Sequence, residues 1–291
     1  MNSYKLNRKI VYLMEIALIA AAMLSCDEVN SPYRQQGSGG GDVLLNKRKI
    51  VLEEYTGFKC GNCPRASKLA HEIEAESDGQ VFLMSVHAGS YADTDKEGLY
   101  QYDFKTAEGN ALFKEFGISS NPVALISRAR FSNSLIVFES SWAAKIDDLK
   151  KTEPKMLIRM FREYDAVKKE IYLDVEVTYL SAGDATHRLV LYILEDKIIK
   201  PQTDYSKNPV DIEEYEHSNV LRGSITGAWG EQLSKGTIPA GYVIRREYRY
   251  SIPDGKDWVP ENLKILAMVQ QADFTNKNYE VFQAEQIKVT Q

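Results

Sequence analysis

Cysteine is scarce in this chain: there are three in 291 residues, and two of them sit close together at Cys60 and Cys63. That excludes a disulfide-dense scaffold, which needs several bridges to replace a core. The four histidines, His71, His87, His187 and His217, are scattered, and no second CxxC exists, so a zinc site has little to draw on. Neither sign of charge dominates. Lys and Arg number 36 against 41 Asp and Glu, a net of -5, which excludes a nucleic-acid binder that works by bulk positive charge. The longest apolar run falls short of the roughly 20 residues of a spanning helix. What is present is globular: 44% hydrophobic, 26% charged and 10% aromatic residues rule out disorder, collagen and a multispan membrane protein. The length suits one large domain or two ordinary ones.

The N-terminus reads as an address. Lys5, Arg8 and Lys9 precede an almost wholly apolar stretch from Ile10 to Leu24, which stops at Ser25-Cys26-Asp27. Basic, then apolar, then small is the order of a secretory signal. Met23-Leu24-Ser25-Cys26 resembles a bacterial lipobox, and the resemblance implies that residues 1–25 are removed and Cys26 becomes an acylated N-terminus, palmitate included. The alternative is a short anchor helix with an incidental cysteine. Residues 26–46, with Gly37-Ser38-Gly39-Gly40-Gly41, read as a flexible tether holding a soluble body off a membrane. Such a body lies in the cell envelope, where thiols tend to be oxidised.

Two rhythms follow. In residues 47–153 short apolar runs alternate with helical stretches. Lys49 to Tyr55, Val81 to Val86 and Val123 to Ile126 read as strands, and Phe131 to Glu139 as a segment able to pair beside the last of them. Pro64 to Ser77, a stretch capped by Thr106, and another capped by Ser141 read as helices. This pattern predicts a sheet with helices on its faces. In residues 154–291 Leu173, Val175, Val177 and Tyr179 alternate with polar residues, as do Tyr242, Ile244, Tyr248 and Tyr250, and no long helix is evident. Period-2 runs predict an antiparallel, immunoglobulin-like sandwich. Residues 197–240 are long for a sandwich connection, and loops of that length are more often functional.

The chemistry concentrates at Cys60-Gly61-Asn62-Cys63, after a strand and at the start of a helix. There Cys60 meets unpaired backbone N–H groups and the positive end of the helix dipole, which stabilise a thiolate. Lys59 adds a positive neighbour. Cys60 is then the attacking thiol and Cys63 the one that resolves a mixed disulfide. Two other readings stand beside this one: half of a zinc site reaching His71 or His87, and a structural disulfide closing a loop too short to contribute much chain entropy. His87 ends the second strand at the same sheet edge, lining a groove or simply solvated.

These residues, over about 47–151, resemble the thioredoxin fold. The resemblance rests on the strand–CxxC–helix, on Phe116-Gly117-Ile118-Ser119-Ser120-Asn121-Pro122 before an apolar strand, and on Glu54 six residues ahead of Cys60. It implies an α/β thioredoxin-like domain, a cis bond at Asn121–Pro122 shaping a substrate groove, and a buried Glu54 that relays a proton to the second cysteine. The other reading of Glu54 is an exposed strand carboxylate beside Glu53, since only one of the pair can face inward. Lys59 and the Gly-Asn pair depart from thioredoxin itself. The whole chain, with Glu54-Tyr55-Thr56-Gly57-Phe58-Lys59-Cys60-Gly61-Asn62-Cys63-Pro64 and Val86-His87-Ala88-Gly89, also resembles the outer-membrane protein 28-type lipoproteins of Gram-negative anaerobes. That implies an outer-membrane location.

Two functions follow from these expectations. One is a membrane-tethered thiol-disulfide oxidoreductase acting on envelope protein thiols and disulfides, with Cys60, Cys63 and Glu54 catalytic, and Asn121, Pro122 and His87 meeting substrate. It uses no cofactor beyond its own disulfide, no metal and no nucleic acid. The other is a surface lipoprotein anchored through Cys26 whose C-terminal domain binds a protein partner, the CxxC being structural. Tyr205, Tyr215, Asn219, Arg222 and Trp229, of types enriched at interfaces, are the candidate contacts of that domain, unless they cover its own core.

Overall fold

A computed structural model of the chain describes residues 46–290. The expectations for residues 1–25, for Cys26 and for almost all of the 26–46 tether lie outside the described residues. In chain order the elements are β1 (Ile50–Thr56), α1 (Cys63–Ala75), β2 (Val81–His87), α2 (Ala107–Glu115), β3 (Val123–Ile126), α3 (Trp142–Lys150), β4 (Met156–Asp165), β5 (Glu170–Tyr179), β6 (His187–Glu195), β7 (Ile198–Thr203), β8 (Asp211–His217), β9 (Val220–Ser224), β10 (Glu231–Gln232), β11 (Val243–Ser251), β12 (Leu263–Gln271) and β13 (Val281–Lys288).

Local chemistry explains the helices. Pro64 opens α1, where its fixed φ suits the first turn and its missing N–H costs nothing. Ala66 and Ala70 are buried on its inner face, with Leu69 and Ile73 packed beside them. Thr106 caps α2 by accepting the Gly109 N–H at 2.9 Å. Ser141 precedes α3 but its hydroxyl makes no cap; a 3-10 turn at Glu139–Ser141 leads into the helix instead. The Trp142 indole N–H, bonded to Val137 O at 2.9 Å, fixes that entry. The segment from Phe131 to Glu139 pairs with β3 through a single bridge, between Ala124 and Val137.

The expected fold class, a thioredoxin-like α/β domain followed by a self-contained immunoglobulin-like sandwich, is corrected by the strand pairing. One mixed sheet runs in the order β13-β12-β6-β9-β2-β1-β3, with β10 pairing on β6, so strands from both sides of Glu153-Pro154 share it. The seam is β2 against β9, parallel at Ser85 and Val220, with the Ser85 N–H donating to Asn219 O at 2.8 Å. A separate antiparallel sheet, β11-β5-β4, packs on the C-terminal strands of the large one, and β7-β8 forms a two-stranded ribbon.

The physical reason lies in β6 and β12. Leu189, Leu191 and Ile193 face the three-stranded sheet, with Ile265, Ala267 and Val269 beside them. Val190, Tyr192 and Leu194, with Leu266 and Met268, face the other way into the core that holds Leu112 and Phe116 of the α2 region. A strand buried on both faces reads as a continuous apolar run, whereas an outer sandwich strand alternates. The sheet is therefore covered on both sides and extends past the expected boundary.

Candidate functional site

Cys60 and Cys63 form a disulfide, with Cα atoms 5.4 Å apart. Hydrogen bonds shape the loop that carries it: Cys60 N–H donates to Gly57 O at 2.9 Å, and Cys63 N–H to Cys60 O at 3.1 Å. Gly57 is required by close approach, since a Cβ there would stand 2.5 Å from the backbone of Tyr91. Both cysteines are almost wholly covered, Cys60 at 3% exposure and Cys63 at 1%. The Lys59 side chain is engaged elsewhere. Its ammonium pairs with Asp95 at 2.5 Å and lies over the Phe58 and Tyr100 rings.

Both carboxylates of β1 are buried, which overturns the expectation that only one of Glu53 and Glu54 faces inward. Successive strand residues point to opposite faces, and here both faces are covered. Glu54 lies under α1, accepting a hydrogen bond from Ser67 Oγ at 2.7 Å. Ser67 is four residues beyond Cys63, on the same side of the helix. Burial raises the Glu54 pKa to about 7, opposed by the Ser67 bond and the nearby His71.

His87 is buried rather than solvated. It stacks on Phe104 at 4.3 Å and meets the edge of His217 at 5.4 Å between ring centroids. Burial holds its pKa well below the ordinary histidine value, and its Nδ1 has no hydrogen-bond partner among the described residues. Burial likewise lowers His217 to about 4. The two rings, with Thr56, Pro64, Ser67, His71, Gln202 and Tyr215, line a cleft beneath the first turns of α1, of about 340 Å³ including its open mouth. Among the described residues no group of three or more His, Cys, Asp or Glu is placed to hold a metal ion.

The Asn121–Pro122 bond is cis. β3 pairs with β1 so that Val123 opposes Tyr55, which puts Asn121 and Pro122 at the end of β1 from which the Cys60 loop departs. Neither lines the cleft under α1.

The β7-β8 ribbon supplies what sequence reading missed. The Gln202 side-chain amide donates to Cys60 O at 3.1 Å, Thr203 N–H donates to Phe58 O at 2.8 Å, and Tyr205 N–H donates to Gly61 O at 2.9 Å. A Cβ at Gly61 would collide with the Tyr205 ring. The aromatics of residues 88–105 form the floor: Phe58 stacks on Tyr100 at 5.2 Å, and Phe58, Phe104, Ile198 and Val220 make a small core of their own. The only sequence signal for this cover was the unusual length of 197–240.

Of the other residues singled out there, most are engaged within the chain. Trp229 packs against Phe116 and Tyr279, Arg222 pairs with Glu195 at 3.2 Å and Asp257 at 2.9 Å, and Tyr215 meets His217. Asn219 is buried at the seam, and Tyr205 alone is mostly exposed.

The family model described as outer membrane protein Omp28 matches residues 109–291. Among solved structures, HBP35 of Porphyromonas gingivalis is similar with a TM-score of 0.63 and 19% identity, over 84% of this chain and 76% of that one. A protein from Agrobacterium tumefaciens is similar with a TM-score of 0.51 and 12% identity, over 84% and 96%. A domain of the outer membrane lipoprotein Omp28 from P. gingivalis is 24% identical over 47% of this chain and 88% of that one, with a TM-score of 0.32. No curated protein matches. The family match begins beyond Cys63, so it bears on the β-rich remainder of the chain and not on the disulfide.

Proposed function

The chain belongs to the Omp28 family of outer membrane proteins, and on that premise we propose that it exchanges disulfides with envelope proteins through Cys60 and Cys63. Cys26 is its lipid anchor in this reading, and residues 26–46 hold the body off the membrane. The observation that carries the proposal is Glu54. A buried carboxyl with a single side-chain hydrogen bond destabilises a fold, and this one sits under the helix that begins at the disulfide, with a pKa of about 7. At that value it is equally ready to give or take a proton near neutral pH, which is what a departing or forming Cys63 thiolate requires. A structural disulfide of this short span would gain nothing from such a neighbour.

A second reading is an outer membrane binding protein whose disulfide only pins the Cys60 loop. The family match, which lies wholly outside the CxxC, favours it, as does the near-complete burial of both cysteines. One experiment separates the two: equilibrate the protein with glutathione redox buffers, then assay turnover of a disulfide-bonded protein by the reduced form. A reversible potential within the glutathione range, with turnover lost in Cys60→Ser, supports exchange. A disulfide that glutathione does not reduce supports the pinning role.

A further inference from the structure

The segment Gln202–Tyr205 crosses the Cys60 loop as a peptide ligand would. Thr203 and Tyr205, two residues apart, direct their N–H groups to Phe58 O and Gly61 O. Donors at i and i+2 lie on one edge of an extended chain, the arrangement by which a β-strand is captured through its main chain. The Gln202 amide adds bonds to Gly57 O at 3.4 Å and Cys60 O at 3.1 Å. Each of these acceptors belongs to the loop around the disulfide, and none of the bonds lies within a sheet.

On its other side the segment belongs to a ribbon: among the described residues β7 pairs with β8 alone, and an isolated two-stranded ribbon is marginal by itself. Its anchors are Ile198 in the small aromatic core, His217 packed on Phe104 and His87, Lys200 over the Tyr102 ring, and the Tyr100 hydroxyl, which donates to Asp211 Oδ1 at 2.6 Å and lies 2.7 Å from Thr203 Oγ1. Near its tip Tyr205 and Val210 are exposed at 65% and 41%.

We propose that Gln202–Tyr205 is a resident occupant of a peptide-binding edge formed by Phe58–Gly61, and that the substrate is an extended, cysteine-bearing polypeptide which displaces it. The inference rests on the disulfide-exchange reading and adds the substrate class and the element that gates access. The exchange balances within a dithiol peptide. Its first thiolate attacks Cys60 Sγ, the Cys60–Cys63 bond breaks, and Cys63 leaves with the electron pair and is protonated. The second peptide thiolate then attacks the mixed disulfide and releases Cys60 as a thiolate. The peptide ends oxidised by two electrons and the CxxC reduced by two.

The test uses the full described body with its tether, in the oxidised state, and an unstructured peptide carrying two reduced cysteines. Gln202→Ala removes the side-chain bonds to Gly57 O and Cys60 O, and Tyr205→Pro removes the main-chain bond to Gly61 O, while Tyr205→Phe keeps the N–H. Losing bonds of roughly 1 kcal/mol net should raise the peptide exchange rate by about five- to tenfold in the first two variants. Tyr205→Phe should stay within about twofold of the parent, since it keeps that bond. In the parent protein, the same peptide with serine for cysteine should speed hydrogen exchange at the Thr203 and Tyr205 amides. Equal exchange by parent and variants, with no change at those amides, overturns the occupant while leaving disulfide exchange standing. Reduction by dithiothreitol without any transfer from the peptide, in parent and variants alike, overturns both.

Discussion

Glu53 and Glu54 are neighbours on one strand and share its burial, yet they face two different interiors. Glu53 points to the side of the sheet that holds Tyr192 and Gln270. There Arg128 grips it with two bonds, at 2.5 and 3.0 Å, and donates also to Gln270 at 2.6 Å and Tyr192 at 3.2 Å. Glu54 points to the side of α1 and has Ser67. The first carboxylate is a charge bought into the core by a matching charge. The second has no such partner, and its proton is loosely held near neutral pH. One side of the sheet holds a fixed, paired charge and the other a carboxyl that changes its charge near neutral pH.

The largest expected effect breaks the permanent side. Arg128→Met leaves the buried Glu53 carboxyl without its partner, and removing one member of a buried pair costs about 3–5 kcal/mol. Urea denaturation should show that loss, and the double variant Arg128→Met with Glu53→Leu should recover a large part of it. A single variant as stable as the parent would mean that the pair contributes nothing and that the comparison fails.

Next comes the changeable side. A folded-state pKa above the unfolded value means that the fold favours the protonated acid. The stability contributed by neutral Glu54 is fully present below about pH 4.5 and is lost as pH rises through about 7. Glu54→Gln keeps a hydrogen-bonding partner for Ser67 and abolishes the titration. It should therefore be more stable than the parent at pH 8, by about 3 kcal/mol, and little different at pH 4. Under the exchange reading it should also slow release of Cys63 and flatten the pH dependence of that step near neutrality. Added stability with an unaltered rate would leave Glu54 a buried acid without a role in exchange.

These contrasts were only half legible in the sequence. The strand–CxxC–helix, the α2 cap at Thr106 and the alternating strand through Leu173 and Tyr179 follow from local periodicity and capping, and the structure has them in place. The assembly does not, because nothing local says that Val220 pairs with Ser85. A trace was present: the unbroken apolar runs of β6 and β12 demand cover on both faces, which a two-layer sandwich does not give. Arg128 gave no signal. It follows an apolar strand at a left-handed turn, φ 50°, as a surface residue would, and its partner lies 75 residues earlier. The cover over the disulfide was equally hidden, since Thr203 and Tyr205 meet the Cys60 loop through main-chain atoms that any sequence carries.

A smaller effect has the opposite sign to that of Glu54 and comes from the cleft beneath α1. His217 is buried among Phe104, Tyr215 and His87, with its Nε2 3.3 Å from Lys200 O. A histidine pKa lowered in the fold contributes stability that is complete above about 6.5 and lost as pH falls through about 4. Between pH 6.5 and 5 the loss should reach about 2 kcal/mol, and His217→Phe should remove that part of the acid limb. Because β8 carries His217, the ribbon over the disulfide should loosen first, so that exchange with a peptide accelerates at pH 5 relative to the thiolate available.

The smallest effect concerns Lys59, which stands beside Cys60 in sequence and invites the idea that it activates the thiol. Its ammonium is already paired with Asp95, and both side chains are partly exposed, at 24% and 49%. An opposite charge that close cancels most of the field Lys59 would exert, and solvent screens the rest. Lys59→Met should therefore shift the pH midpoint of Cys60 alkylation in the reduced protein by less than about half a unit, the size of an exposed ion pair. Asp95→Asn, which frees the ammonium, should shift it further in the downward direction. If Lys59→Met alone raised the midpoint by a full unit or more, the lysine would have to leave Asp95 for the thiolate on reduction. The fixed and changeable sides of this site would then be divided by the redox state and not by the sheet.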